Sequence, residues 1–204
     1  MSDVRAYFWE TSKARKAKTG AGTMSVSKQV VLAEFDVTAL VGLKVTVCDA
    51  AYEKIDEDGE ATIEVPDLRP LLASAAVARC LMPVRLRGGE LRAMRKIMRL
   101  TLTGLAERLG EKTAPETISR WETEAQPIGG FAEKVIRLLV CDELHKEATG
   151  VSYDSSLIAR IRIADPWITN KAFKVPVITF HRVKMREQSG AVIDVYNDNG
   201  HKAA

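Results

Sequence analysis

The sequence lacks the features of a membrane, secreted or metal-binding protein. No apolar run approaches the roughly 20 residues that a membrane-spanning helix needs, and residues 1–22 lack the apolar stretch of a secretion signal. A mitochondrial presequence is the weaker alternative for this segment. The three cysteines are far apart and form no CxxC pair, so neither a disulfide framework nor a zinc finger is predicted. We interpret Cys48, Cys80 and Cys141 as reduced core residues of a cytoplasmic protein.

Motifs that would support catalysis are also missing from the sequence. It contains no phosphate-binding glycine loop, no nucleophile elbow and no paired catalytic carboxylates. His145 follows Cys141 by four residues, but two ligands are too few for a metal site. The acidic run at 56–60 lacks the remaining ligand spacing of a calcium loop. We therefore predict that the protein is not an enzyme and that it uses no metal and no cofactor.

Charge is unevenly distributed along the 204 residues, although the net charge is only +3. Residues 1–28 hold six Lys and Arg against two Asp and Glu, and residues 84–140 hold eleven against seven. Residues 29–83, by contrast, hold four against ten. The two basic segments favour a polyanionic partner, and the acidic segment between them is expected to face away from it.

Composition and periodicity divide the chain into four segments. Residues 1–28 are predicted to be a basic flexible tail, and residues 29–83 a small acidic α/β module. In this module we predict three strands, QVVLAEFDV, GLKVTVCDAAYEKI and EATIEV, then the helix LRPLLASAAVARCL with Asp67 as its N-cap. Residues 149–204 are predicted to be a β-rich segment with strands in SLIARIRIAD, VPVITFHRVKM and AVIDVYND.

Between residues 84 and 148 the apolar residues recur with helical spacing. Four helices are predicted: a first around Leu91 and Met94, a second capped by Thr101 and ended by Gly110, a third opened by Pro115, and a last, longer one. The core face of the last helix is predicted from four apolar residues: Phe131, Val135, Leu138 and Leu139. On the exposed face of the first helix we predict four cations that are either solvated or bind phosphate: Arg92, Arg95, Lys96 and Arg99.

The third helix, PETISRWE, has two distinct faces. Ile118 and Trp121 are three residues apart and are predicted to pack into the core. The other face presents groups that bond base edges in the major groove: Glu116, Thr117, Ser119 and Arg120. Glu122 is expected to orient the neighbouring helix. Two short helices between longer ones, the second projecting outward, is the arrangement of a helix-turn-helix domain.

The stretch LTLTGLAERLGEKTAPETISRWE resembles the Cro/cI-type (Xre) helix-turn-helix regulators. The resemblance is carried by an LT-xxx-LA-xx-LG pattern starting at Leu100 and by the run TISRWE from Thr117 to Glu122. It implies a recognition helix at about 115–122 that contacts bases through Glu116, Thr117, Ser119 and Arg120. We predict further DNA contacts beside that helix from Arg99, Thr101, Lys112 and Thr113.

The chain departs from the family pattern in two places. Six residues separate Gly110 from Thr117, where the family usually has four, so the turn is longer. Leu102 stands where the family often has a glutamine that contacts phosphate. The upstream module also resembles, more weakly, MqsA-type zinc-finger and helix-turn-helix antitoxin regulators. Because Ala51 replaces a ligand cysteine and the first CxxC is absent, we predict that the zinc ligands have been lost.

Together these features predict an α+β protein: a central helix-turn-helix domain at 84–148, flanked by the α/β module and the β-rich segment. The expected function is sequence-specific DNA binding as a cytoplasmic transcriptional regulator, most simply a repressor. A homodimer on a palindromic operator is expected, with the interface in helix 130–145 or in the C-terminal segment. The alternative is an antitoxin that binds a toxin and autoregulates its operon, and a structural nucleic-acid protein without sequence preference is a third possibility.

Overall fold

The computed structural model of the chain describes residues 29–55, 59–110, 113–148, 150–186 and 192–197. The predicted basic tail at 1–28, part of the acidic run at 56–60, Lys112 and the expected turn around 189–190 lie outside these ranges. The described residues combine helices with a mixed sheet, which confirms the predicted α+β class. Within these ranges, no helix is both long enough and apolar enough to cross a bilayer.

Three strands form where β-branched, partly alternating residues predicted them. They are β1, Gln29–Asp36, β2, Val45–Ile55, and β3, Ala61–Glu64. Both β1 and β3 pair antiparallel with β2, and a short helix that was not predicted, α1 (Thr38–Val41), connects β1 to β2. The β1–β2 register shifts between Leu32 and Glu34, where Asp49 of β2 has a left-handed backbone with φ of 52°. This bulge adds one unpaired residue to β2.

Helix α2, Leu68–Leu81, is the predicted leucine- and alanine-rich helix. Every residue from 73 to 80 is buried. Seven of them have small side chains, which let the helix lie close to its neighbours on several sides, and the eighth, Arg79, is buried in an ion pair with Glu90. Asp67 occupies the N-cap position, as predicted. Its backbone is left-handed, however, with φ of 49°, and its side chain makes no capping hydrogen bond. The predicted role of this side chain as a cap is therefore wrong.

Four helices follow in the predicted order. They are α3, Gly88–Ile97, α4, Leu102–Leu109, α5, Pro115–Glu122, and α6, Gly130–Leu144. Thr101 Oγ1 accepts a hydrogen bond of 3.0 Å from the backbone N–H of Gly104 and so caps α4. Gly110, with φ of 103°, follows the end of α4, and Pro115 is the first residue of α5. These three predicted helix boundaries are confirmed.

The buried face of α6 differs from the prediction. The apolar pattern assigned four residues to the core: Phe131, Val135, Leu138 and Leu139. In the structure Phe131 is 83% exposed and the other three are only half-buried. The face that is buried carries Glu133, Ile136, Arg137, Val140, Cys141 and Leu144. The prediction fails because hydrophobic periodicity counts charged residues as exposed, whereas this helix buries an ion pair between Glu133 and Arg137.

This buried ion pair connects α6 to the chain between α2 and α3. The guanidinium of Arg137 donates to the carbonyl oxygens of Cys80, Met82 and Val84 at 2.6, 2.7 and 2.6 Å. Glu133 Oε1 accepts from Arg137 and, at 2.8 Å, from the backbone N–H of Leu86. The connection that leads into α3 is therefore held by hydrogen bonds from the interior of the protein.

The first predicted strand of the C-terminal segment is not a strand. SLIARIRIAD begins with helix α7, Ser155–Arg160, whose N-cap Asp154 accepts a hydrogen bond from the backbone N–H of Ser156 at 2.8 Å. An extended stretch follows, in which Ala164 pairs with Val84 as a parallel bridge, and a 3-10 turn covers Pro166–Ile168. Local capping thus outweighs the short alternating pattern on which the prediction rested.

The two remaining predicted strands are present and join the N-terminal sheet. They are β4, Ile178–Arg186, and β5, Val192–Asn197. β4 pairs parallel with β2, with Val45 opposite Ile178, and β5 pairs antiparallel with β4, so the strand order is β1-β2-β4-β5 with β3 also on β2. The predicted segments 29–83 and 149–204 therefore share one sheet. Helix α2 packs between this sheet and α6.

Candidate nucleic-acid interface

Helix α5 presents one face to the core and the other to solvent, as its sequence predicts. Ile118 is fully buried and Trp121 is 7% exposed. Glu116 and Arg120 are exposed on the opposite side, and the remaining predicted contact residues, Thr117 and Ser119, are half-buried. An exposed guanidinium and carboxylate on a short helix that is anchored from behind are free to contact another molecule.

The N-terminus of α5 is open to a ligand as well. Its N-cap residue, Ala114, has no side-chain oxygen to accept from the first backbone N–H groups, and Pro115 at the first position needs no acceptor. The first turn of a helix carries a partial positive charge and attracts anionic groups. The exposed carboxylate of Glu116 in the same turn offsets part of this positive charge.

A buried ion pair holds the far end of α5 against α3. Arg95 donates to both carboxylate oxygens of Glu122, at 2.6 and 3.0 Å, and to the carbonyl oxygen of Leu100 at 2.9 Å. The two side chains are only 12% and 7% exposed, and the hydrogen bond to Glu122 raises the pKa of Arg95 above its ordinary value. The expectation that Glu122 orients the neighbouring helix is confirmed. The assignment of Arg95 to an exposed face is wrong, because its charge is used inside the protein.

The predicted contacts outside α5 lie in the connections around α4. Arg99 is exposed and has a left-handed backbone with φ of 60°, and Thr101 is exposed at the N-cap of α4. Thr113 is half-buried just before α5, and its backbone N–H donates to Gly110 at 3.0 Å. The structure thus places these three residues on the loops on either side of α4. Lys112, the fourth, is outside the described residues.

Sequence reasoning missed the contact between Gly88 and the end of α5. A Cβ atom at position 88 would lie 2.5 Å from the carbonyl oxygens of both Trp121 and Glu122, so only glycine permits this approach. The carboxylate of Glu124 accepts from the backbone N–H of Gly88 at 3.1 Å and from Nε and Nη2 of Arg87, at 2.9 and 2.5 Å. The Gly-Gly pair at the start of a helix was the available signal, since glycine is unfavourable there without a packing reason.

The exposed cations on the helices next to α5 differ in whether they form an ion pair within the protein. On α3, Arg92 and Lys96 are exposed, as predicted. Arg108 of α4 forms an ion pair with Glu143 of α6, so part of its charge is neutralised. Arg92 and Lys96 therefore remain the better candidates for contacts with phosphate from these two helices.

Among the residues that the structure describes, no group of three or more His, Cys, Asp and Glu is arranged to hold a metal ion. The three cysteines are buried, as predicted. Burial raises the pKa of Cys48, and a hydrogen bond with Cys80, followed by burial, raises the pKa of Cys141. Thiols with raised pKa values in the interior are poor nucleophiles and poor ligands.

The site therefore consists of an anchored short helix with exposed polar groups, an uncapped N-terminus and flanking loops with an exposed arginine and threonine. Such a set of groups can form hydrogen bonds and ion pairs with a polar or charged ligand. Comparison of the chain with protein-family models, curated proteins and solved structures found no match.

Proposed function

We propose that this protein is a sequence-specific DNA-binding regulator that inserts α5 into the major groove as the second helix of a helix-turn-helix formed with α4. The observation that carries the proposal is the division of α5 between buried Ile118 and Trp121 and exposed Glu116 and Arg120. A major groove about 12 Å wide admits one helix, whose N-terminal residues meet the base edges.

The chemistry of the exposed face supports contact with bases. Arg120 bonds the O6 and N7 atoms of guanine with two parallel donors, and Glu116 accepts from the N4 amine of cytosine. Thr117 and Ser119 bond several bases, which adds affinity with less discrimination. Exposed Arg99 and Thr101 beside α4 are suited to phosphate oxygens, which set the position of the protein on the duplex.

The first experiment is selection of bound sites from random duplex DNA, followed by titration of the recovered motif and of random DNA. We expect Arg120→Ala to lower the preference for the motif roughly 5- to 150-fold, corresponding to about 1–3 kcal/mol for one bidentate pair. Arg92→Ala, an equal charge change on α3, is the control and should leave the preference unchanged. Recovery of no motif, or an unchanged preference for Arg120→Ala, would refute the proposed readout.

A single helix contacts few base pairs, so we propose that the protein acts as a twofold dimer on a palindrome with half-sites about one helical turn apart. Helix α6 and the C-terminal segment remain the proposed interfaces. Phe131, 83% exposed at the start of α6, supports the first of them. The mass of the free protein and of its complex with the selected duplex, measured by sedimentation, tests this stoichiometry.

Exposed apolar residues at one end of the sheet favour a second candidate function, that of an antitoxin. Apolar residues are exposed there on all three N-terminal strands, namely Val30, Val31, Ile55 and Ile63 at 40, 50, 38 and 41%. They belong to the acidic segment, which suits a basic protein partner. The test is co-expression with the product of an adjacent small reading frame. Val30, Ile55 and Ile63 share one face of the sheet, so a complex that is lost on Val30→Lys supports this function, and absence of any complex refutes it.

A further inference from the structure

A basic segment of the C-terminal region, residues 160–174, is linked through Arg87 to the end of α5; we refer to it as the basic strap. Its four cations are all exposed: Arg160, Arg162, Lys171 and Lys174. Its one acidic residue, Asp165, bonds Arg85 of the connection before α3 at 2.9 Å, and this ion pair neutralises its charge internally. The strap therefore presents excess positive charge to solvent.

Backbone hydrogen bonds fix the strap to the protein. Ala164 accepts from the N–H of Arg85 and donates to the carbonyl oxygen of Pro83, both at 2.9 Å. Lys134, in the first half of α6, donates to the carbonyl oxygen of Ala159 at 2.9 Å, just before the strap. The strap is thus fixed to the connection before α3, the residue preceding it is fixed to α6, and its position is set before any ligand binds.

An aromatic contact connects the strap to the end of α5. The guanidinium of Arg87 lies 4.9 Å from the ring centre of Trp167, and the same guanidinium bonds Glu124, two residues after α5. Trp167 is itself held by Phe173, through an indole hydrogen bond of 3.0 Å to its carbonyl oxygen and an edge-to-face contact between the rings. Cations on both sides of Trp167 are therefore positioned relative to the helix that is proposed to enter the groove.

We propose that the basic strap binds phosphates of the DNA backbone adjacent to the base pairs contacted by α5. This inference rests on the proposed function and adds a second, sequence-independent contact surface from a different part of the chain. Cations that neutralise phosphates release condensed counterions, so each such contact adds affinity that falls with salt concentration. The strap increases affinity for any duplex equally, whereas Arg120 contributes the preference.

The test uses the full chain carrying Arg162→Gln and Lys174→Gln together. Binding to a random 30-base-pair duplex and to the selected motif is measured between 50 and 200 mM salt. Loss of two phosphate contacts is expected to lower the slope of log affinity against log salt by about 1.8, that is about 0.9 for each contact. The preference for the motif over random DNA should stay unchanged.

The matched control is Lys54→Gln with Lys146→Gln, which changes the net charge equally. Lys54 lies on β2, and Lys146 follows the C-terminal end of α6, the end opposite to Lys134. A reduced slope for the strap variant alone supports the proposal. Equal slopes in the two variants would overturn it while leaving the function of α5 intact. Failure of the unmodified chain to bind either duplex would refute both proposals.

Discussion

Replacing Gly88 with alanine tests how closely α3 must approach α5. The new Cβ would lie 2.5 Å from two backbone carbonyl oxygens, those of Trp121 and Glu122. Heavy atoms reach their best separation only at about 3.5–4.0 Å, so α5 must retreat by roughly 1 Å. Neither oxygen is at the end of a flexible side chain, and the retreat therefore moves the end of the helix itself.

The adjacent glycine gives an unusually close control. A Cβ at Gly89 meets nothing within 4 Å, and this residue is exposed inside α3. Gly89→Ala should therefore stabilise the protein by about 0.4–1 kcal/mol, because alanine loses less conformational freedom on folding. Gly88→Ala should destabilise it by about 1–3 kcal/mol through overpacking. Two identical substitutions at neighbouring positions are thus expected to have opposite signs.

Thermal and urea unfolding of the two variants measure this difference. For a chain of this size a loss of 2 kcal/mol corresponds to a fall in Tm of roughly 4–8 °C. We also expect Gly88→Ala, but not Gly89→Ala, to reduce the preference for the selected DNA motif, since the substitution displaces α5. If Gly88→Ala is as stable as Gly89→Ala, then α3 and α5 do not approach each other this closely. The inference that this contact orients α5 is then refuted as well.

The remaining predictions concern the two other attachments of α5. Trp121→Ala should lower the free energy of unfolding by about 3–5 kcal/mol because it leaves a cavity. Trp121→Phe should cost far less, since the buried indole N–H of Trp121 has no hydrogen-bond partner among the described residues; equal losses in urea unfolding would contradict this. Arg95→Met should cost about 3–5 kcal/mol by leaving the carboxylate of Glu122 buried without its partner. The double variant Arg95→Met, Glu122→Met should recover much of that loss, and strictly additive losses would show that the ion pair is not coupled.

Three independent contacts at the C-terminal half of α5 hold this helix of eight residues in one orientation. Such a short helix is marginal alone in water. Trp121 anchors it in the core, the pair of Arg95 and Glu122 ties it to α3, and Gly88 lets the two helices touch. Glu116 in the first turn and Arg120 in the last turn stay exposed, and their positions depend on these three contacts.

Local signals predicted the helices around the candidate site well. Thr101, Gly110 and Pro115 act within one turn of their own position, so their effects on α4 and α5 do not depend on the rest of the fold. The spacing of Ile118 and Trp121 likewise follows from the helical period. Where a local signal competed with another, as in SLIARIRIAD, the prediction failed: the cap at Asp154 outweighed the alternating residues after it.

Charged residues were the main source of error. Arg95, Glu133 and Arg137 were expected at the surface or left outside the core, because an isolated charge is costly to bury. Each is buried or nearly so with a partner of opposite charge: Arg95 pairs with Glu122 of another helix, and Glu133 and Arg137 pair with each other within α6. Whether a charged residue has a partner of opposite charge depends on the folded structure, and hydrophobic periodicity contains no information about it.

The amino-acid sequence by itself determined the α+β class, the positions of α3 to α5 and the two faces of α5, since each depends on residues a few positions apart. Only the tertiary structure decided that residues 45–48 and 178–181 pair in one sheet, that Gly88 touches the end of α5, and that the basic strap lies beside it. Contacts between residues so distant in the chain depend on how whole elements bury their apolar surface against one another. These long-range contacts are therefore determined by the packing of the whole core and not by any short stretch of sequence.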